Sequence, residues 1–327
     1  MTSAGELLHR LPGEVVAADQ RIRPWVRETP LDYAPSLSKA WGLEVYLKLE
    51  NTQVTGSFKV RGAMNRLLTT PLSQRSLGVV AASTGNHGAA VAYAMDTLRV
   101  PGTVFVPESA SPAKLNAIRA WGAEVRAVAG DPVEAEYEAR RYADSHGLVY
   151  VSPYNDQAVV AGQGTVGAEL ARQLARIDSV VVAVGGGGLI SGIGGFLKAA
   201  GREVSVVGCS PANSRVMYES VKAGHQVDIP SDDTLSDGTA GGVESDSVTF
   251  PLCRALVDEW ALVSEEEIVE GMRVAVNETH QLVEGAGGMT LAAAKKVARG
   301  YPGGNMVVVL CGANISAEKL ASVLAIH

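Results

Sequence analysis

Short β-branched runs alternate along this chain with longer segments of helical period, and no other feature limits its possible folds so sharply. Strand, helix and strand in regular succession is the signature of βαβ units around a parallel sheet, so the class is α/β. Between about residues 75 and 150 the order is "LGVVAAS", a helix from Asn86, "GTVFVP", a helix from Ser111, "EVRAV", a helix from Asp131, and "LVYVS". That is a compact unit of four strands. A second series, "SVVVAV", a helix after Gly188, "EVSVVGC" and the late "NMVVVL", needs its own sheet, and "EVYLKLE", which has no role in the compact unit, is assigned to it. The expected organisation is a large domain of residues 1–70 plus 151–327, with a small α/β domain, 71–150, inserted and a cleft between the two. Residues 225–248 are polar, Gly-rich and without period; too long for a plain connection, they are expected to line a site.

The 327 residues are 46% hydrophobic, enough for two cores, and carry a formal charge of −7 with no Lys/Arg-rich stripe. This argues against nucleic acid or an anionic membrane as partner and for small-molecule chemistry. No run approaches the roughly 18 uninterrupted apolar residues of a membrane span. The N-terminus lacks a basic start followed by an apolar stretch, so a cytoplasmic location is expected. Cys209, Cys253 and Cys311 are odd in number, far apart and without a C-x-x-C pair, which suggests neither a disulfide framework nor a thiolate zinc site.

Residues 55–61, "TGSFKVR", open a helix with Lys59 and Arg61 in its first turn, where the helix dipole makes cations least welcome. Val60, Ala63, Met64, Leu67 and Leu68 form one helical face that packs. With Thr55 and Ser57 upstream as candidate caps, the Lys59 amine is expected near the sheet edge and not on the outer surface. A lysine that forms an imine must be neutral when it attacks, and a site that lowers its pKa by desolvation or positive potential provides that. An ordinary solvated lysine is the alternative reading of the same heptapeptide.

In "VVVAVGGGGLISGIGG" a buried-type strand meets four glycines, Gly185, Gly186, Gly187 and Gly188, and then a helix. Successive backbone N–H groups and a helix N-terminus make an anion site. The spacing departs from G-x-G-x-x-G, since Ile190 and Ser191 stand where the third glycine would be, and no ribose-binding acid or phosphate-binding lysine follows. A single phosphate ester fits better than a dinucleotide.

In "ASTGNHGAA" another strand passes into a helix, with Ser83, Thr84, Asn86 and His87 around Gly85, a set able to hold a carboxylate or simply to cap the helix. In "VVVLCGANIS" a strand delivers Cys311 into a turn. No H-E-x-x-H, G-x-S-x-G or obvious carboxylate pair supports a hydrolase or zinc enzyme, even with His87 read as a base.

These four stretches, in this order, resemble the fold-type II pyridoxal-phosphate enzymes, specifically the threonine/serine dehydratase and serine racemase group. The resemblance implies a two-domain architecture like that of the tryptophan synthase β chain, with parallel-rich sheets and helices on both faces. It implies that Lys59 in "SFKVRGA" carries pyridoxal 5'-phosphate as an imine and that Phe58 packs on the cofactor ring. Gly185 to Gly188 would hold the phosphate, Asn86 the phenolic oxygen, and Cys311 would face the pyridine nitrogen. Ser83, Thr84, Gly85, Asn86 and His87 would form the substrate-carboxylate loop, and Asp237 and Glu284 would lie near the cofactor. A homodimer acting on a small amino acid is implied as well.

The implied function is an ammonia-lyase (dehydratase) that converts L-threonine, L-serine or a related β-hydroxy amino acid to a 2-oxo acid and ammonia, with Lys59 as base at Cα. A serine-type racemase is the alternative; a β-replacement synthase and a non-catalytic nucleotide-binding module follow. The family's metal ligands are replaced by Ser210 and Val216, so no metal site is expected there. Ala89 stands where the family often has glutamine, and Thr84 leaves a hydroxyl where racemases have a serine, which allows some racemisation. The chain ends soon after "CGANIS", with no room for the regulatory domain of feedback-controlled members. Arg61 is expected to be a surface or interdomain salt-bridge partner without a catalytic role.

Overall fold

The computed structural model describes residues 4–325 apart from Ser111 and Asp131. Ten strands, β1 (Leu31–Tyr33), β2 (Glu44–Lys48), β3 (Val79–Ala82), β4 (Gly102–Pro107), β5 (Glu124–Val128), β6 (Val149–Tyr150), β7 (Ser179–Ala183), β8 (Ser205–Pro211), β9 (Glu259–Val263) and β10 (Asn305–Val309), form two sheets. The smaller runs β5-β4-β3-β6 and is parallel throughout. The larger runs β1-β2-β10-β7-β8-β9 and is parallel except for the β1–β2 pair at one edge. The α/β class is thus borne out. Every residue of β7, "SVVVA", is buried, as a central parallel strand covered on both faces requires. Helices start at Asn86 and Gly188, while Pro112–Arg119 and Pro132–His146 follow directly on the anticipated starts at Ser111 and Asp131, which lie outside the described residues.

Two strands were not anticipated. β1 has three residues, and β9, "EWALV", is only partly buried at the sheet edge. Edge strands need neither a continuous apolar run nor a strict alternation, so they leave little trace in a sequence.

The largest core surrounds the six-stranded sheet, and two smaller clusters cover the faces of the four-stranded one. Between the sheets, Val60, Ala63, Met64 and Leu67 of helix Lys59–Thr69 pack with Ala90, Val91 and Ala94 of helix Asn86–Leu98 and with Val79 and Ala81 of β3; Leu68 is partly buried. The back of helix Lys59–Thr69 meets helix Gln157–Gln173 at close range. A Cβ on Gly62 would lie 2.4 Å from the Gln163 amide, and one on Gly162 would lie 2.6 Å from the Arg61 carbonyl. Two side-chain-free positions therefore set the height of the helix that begins with Lys59.

Arg61 is not at the surface. It is fully buried in the large-sheet unit, where Nε and Nη2 donate to Glu50 at 2.7 and 2.8 Å and Nη1 and Nη2 donate to Glu169 at 2.8 and 2.9 Å. Lys48, also fully buried, donates to the same Glu169 at 2.6 Å. A guanidinium in an unfavourable first turn is compensated by two carboxylates from remote segments.

Candidate active site

The lysine segment is fixed to the end of β10. Ser57 forms an antiparallel bridge with Gly312, the Phe58 amide donates to Cys311 O at 3.1 Å, and Ala313 N donates to Gly56 O at 2.9 Å. This pairing explains why Thr55 and Ser57 do not cap the helix. Phe58 takes the N-cap position with no side-chain cap, and the Thr55 and Ser57 hydroxyls are buried without a hydrogen-bond partner among the described residues.

Lys59 Nζ donates to Pro153 O at 3.0 Å and lies 5.3 Å from the centre of the Phe58 ring. Burial pulls this amine down to about 8, against the Cys311 thiol and Glu284 carboxyl that pull it up. At pH 7 roughly a tenth of such an amine is neutral, about three hundredfold more than at the ordinary lysine value.

The slot that holds Phe58 and Lys59 is also lined by Asn86, Gly185 to Gly188, Thr239, Glu284 and Cys311. The glycines are required by contact. A Cβ on Gly185 would sit 2.8 Å from Thr239 O, one on Gly186 would sit 2.3 Å from the Tyr154 ring, and Gly187 has φ +81. Among the described residues none of the amides of Gly185 to Gly188 has a hydrogen-bond partner. Four successive unpaired donors at the start of helix Gly188–Ala199 have the chemistry to hold an anion.

Asn86 donates through Nδ2 to both oxygens of Glu284, at 2.8 and 3.0 Å, and accepts at Oδ1 from Asn314 Nδ2 at 2.6 Å. Glu284 is 5% exposed, and burial lifts its carboxyl to about 7, partly offset by the Asn86 bond and reinforced by Asp237. Cys311 is buried, and desolvation followed by the Glu284 charge raises its thiol well above the ordinary value.

Glu284 also borders a cleft of about 840 Å³ that contains Thr84, Gly85 and Asp237, and Asp237 faces Lys319 at 3.8 Å. Ser83 stands at the end of β3, where its hydroxyl accepts from Gly85 N at 3.2 Å and so shapes the loop. His87 borders neither cavity. Its Nε2 is 2.8 Å from Val151 O, and burial, then Lys59, push it down to about 3. A neutral ring fixed beneath the loop is a poor general base. Ser210 and Val216 are buried, Ser210 Oγ donating to Val184 O at 3.0 Å, and no group of three or more His, Cys, Asp or Glu among the described residues is placed to hold a metal.

The residues anticipated for the imine, the phosphate, the ring and the phenolic oxygen all line one slot, and Thr84 and Gly85 line the adjoining cleft. Sequence reasoning missed Tyr154 and Asn314. Asn314 lay inside the quoted "CGANIS" turn; Tyr154, in a turn after β6, gave no signal. The 225–248 stretch contributes Leu235 and Asp237 to the cleft and Thr239 to the slot.

A family model described as pyridoxal-phosphate dependent enzyme matches residues 22–312. The chain is 40% identical over 308 residues to the L-threonine ammonia-lyase of Geobacter sulfurreducens, covering 94% of this chain and 76% of that one. It is 39% identical to the L-threonine ammonia-lyase of Thermotoga maritima, covering 90% and 75%. Among solved structures, the processed form of threonine deaminase isoform 2 from Solanum lycopersicum superposes with a TM-score of 0.93 at 32% identity, over 97% of this chain and 87% of that one. Maize serine racemase superposes with a TM-score of 0.90 at 30% identity, over 96% of each.

Proposed function

This chain belongs to the family of pyridoxal-phosphate dependent enzymes, in its threonine/serine dehydratase and serine racemase group, and from that membership we infer that it is an ammonia-lyase. It converts L-threonine, L-serine or a related β-hydroxy amino acid to a 2-oxo acid and ammonia, losing the β-hydroxyl as water and regaining one water when the released enamine, as its imine tautomer, is hydrolysed.

The residues present suit the cofactor: four unpartnered amides for its phosphate, a desolvated amine for its aldehyde, and a neutral thiol beside them. When bound, pyridoxal phosphate supplies an electron sink for charge developing at the substrate Cα. Lys59 Nζ, whose pKa burial lowers to about 8, takes the Cα proton in its neutral form. Thr84, Gly85 and the amides at the start of helix Asn86–Leu98 hold the substrate carboxylate. Asn86, clamped between Glu284 and Asn314, would be the residue that holds the cofactor at its phenolic oxygen. Cys311 keeps its proton and is too weak an acid to charge a pyridine nitrogen, which favours prompt loss of the β-substituent over a long-lived carbanion.

The observation that carries this reading is the desolvated Lys59 amine in the same slot as the four free glycine amides. Thr84, which lines the cleft, supports racemisation as a side activity. The family likeness also supports a cytoplasmic homodimer with residues 71–150 as the inserted domain; no helix among the described residues is long and apolar enough to cross a membrane. The test is borohydride reduction followed by peptide mass analysis, together with assays of ammonia and 2-oxo acid from L-threonine and L-serine. A cofactor mass on Lys59 and at least a thousandfold loss of activity in Lys59→Ala are expected. Unlabelled Lys59 in a protein that releases no ammonia would remove the reading.

A further inference from the structure

We propose that the cleft admits β-hydroxy amino acids with a large apolar β-substituent, aryl or branched alkyl, and favours them over serine. The inference rests on the ammonia-lyase reading and names its substrate class. At about 840 Å³ the cleft is in the upper part of the range for small-molecule sites, although serine has nothing beyond its β-hydroxyl and threonine only a methyl group. Thr84 and Gly85 mark the carboxylate end. Beyond them the wall is Ala89 and Trp121 from the small-sheet side and Leu235 and Ile315 from the other. Ala89, on helix Asn86–Leu98, is a small residue in this wall.

That far wall is braced. The Trp121 ring meets Tyr93 edge-on at 5.0 Å and the Tyr93 hydroxyl donates to Trp25 O at 2.8 Å, while Ile118, fully buried, backs the wall from behind and is not part of its exposed surface. A rigid apolar surface of this kind gains from an aromatic or branched group and nothing from a hydroxymethyl. The cation on the cleft, Lys319, already faces Asp237 at 3.8 Å, so a second substrate carboxylate would meet a compensated charge and an acid. This disfavours 3-hydroxyaspartate.

Two measurements on the holoenzyme decide the matter. Ammonia release is followed with L-threo-3-phenylserine, L-threonine, L-serine and 3-hydroxyaspartate; the expected kcat/KM for phenylserine exceeds that for serine by about tenfold, within the usual gain for filling an apolar pocket. In Ala89→Leu the phenylserine-to-serine ratio falls at least tenfold. Separately, calorimetry compares L-phenylalanine with L-alanine, neither of which has a β-hydroxyl to lose, and L-phenylalanine binds at least tenfold more tightly. Serine or 3-hydroxyaspartate turned over faster than phenylserine, or L-alanine binding as well as L-phenylalanine, would overturn the inference and leave the lyase reading intact. If no substrate releases ammonia the lyase reading fails, and the calorimetric ratio still decides what the cleft accepts.

Discussion

Asn86 and Glu284, 198 residues apart, are joined by two hydrogen bonds of 2.8 and 3.0 Å from one amide nitrogen to both carboxylate oxygens. The amide oxygen of Asn86 is held by Asn314, whose nitrogen also donates to Thr55 O at 2.9 Å. One side chain at the start of a small-sheet helix is thus tied to the lysine segment, the β10 end and the helix that follows Glu284. The amide is set with its nitrogen toward Glu284 and its oxygen toward Asn314.

Glu284 makes the stability of the apoprotein depend on pH. Its carboxyl titrates near 7 in the folded chain against an ordinary 4.5, so the folded state holds the proton more tightly across that interval. Stability therefore falls as pH rises from about 4.5 to about 7 and then levels off. Glu284→Gln keeps an acceptor for Asn86 and removes the charge; it should be more stable than wild type above pH 7 by up to about 3 kcal/mol, with little difference near pH 4. Urea unfolding at pH 4, 6 and 8 checks this, and a gain independent of pH would contradict it.

Gly186→Ala should damage the anion site. The new methyl carbon would lie 2.3 Å from the Tyr154 ring, so either the ring or the loop must move. We expect a loss of about 1–3 kcal/mol in stability and at least about tenfold weaker cofactor binding by absorbance titration. Gly13→Ala, in open space on helix Ala4–Ile22, provides the contrast, with a gain of about 0.5–1 kcal/mol.

Arg61→Ala should cost about 3–5 kcal/mol in denaturant unfolding, because it removes the cation paired with buried Glu50 and leaves Glu169 with only Lys48 and Arg23. Burial alone would raise the Glu169 carboxyl, but Arg61 and then Lys48 hold it near 2. Its contribution is present above the ordinary carboxylate pKa and is lost as pH falls toward 2, so wild type loses stability over that range and Arg61→Ala loses less. Equal acid sensitivity in the two proteins would be the contrary result.

Metal removal should be without effect. With Ser210, in β8, bonded to a backbone carbonyl and Val216 an apolar buried residue, these two positions supply no pair of carboxylate ligands. Ammonia release should change by less than about twofold between excess chelator and millimolar magnesium; a strong magnesium requirement would show a site elsewhere.

Much of this was legible before any coordinates. Eight of the ten strands stand out as β-branched runs, and the stripe Val60, Ala63, Met64, Leu67 marks the packed face of the lysine helix, because period and burial are local properties of a sequence. The four glycines were readable for a similar reason: at Gly185, Gly186 and Gly187 no Cβ fits or φ is positive, and only one residue type meets that need. What failed were judgements about polar side chains. Thr55 and Ser57 look like caps until the extended pairing at Gly312 is known, His87 looks like a site residue until Val151 O is found beneath it, and Arg61 looks superficial.

By itself, then, the sequence determined the α/β class, the two strand series, the anion-binding loop and the lysine. Each follows from spacing and from backbone demands that neighbours along the chain already express. Only the tertiary structure decided that Arg61 is buried against Glu50 and Glu169, that Asn86 is clamped by Glu284 and Asn314, and that Lys59 loses its water in the slot of the four glycines. The energy of a charge or a hydrogen-bonding group depends on partners and solvent brought together from distant segments, and no local pattern contains that information.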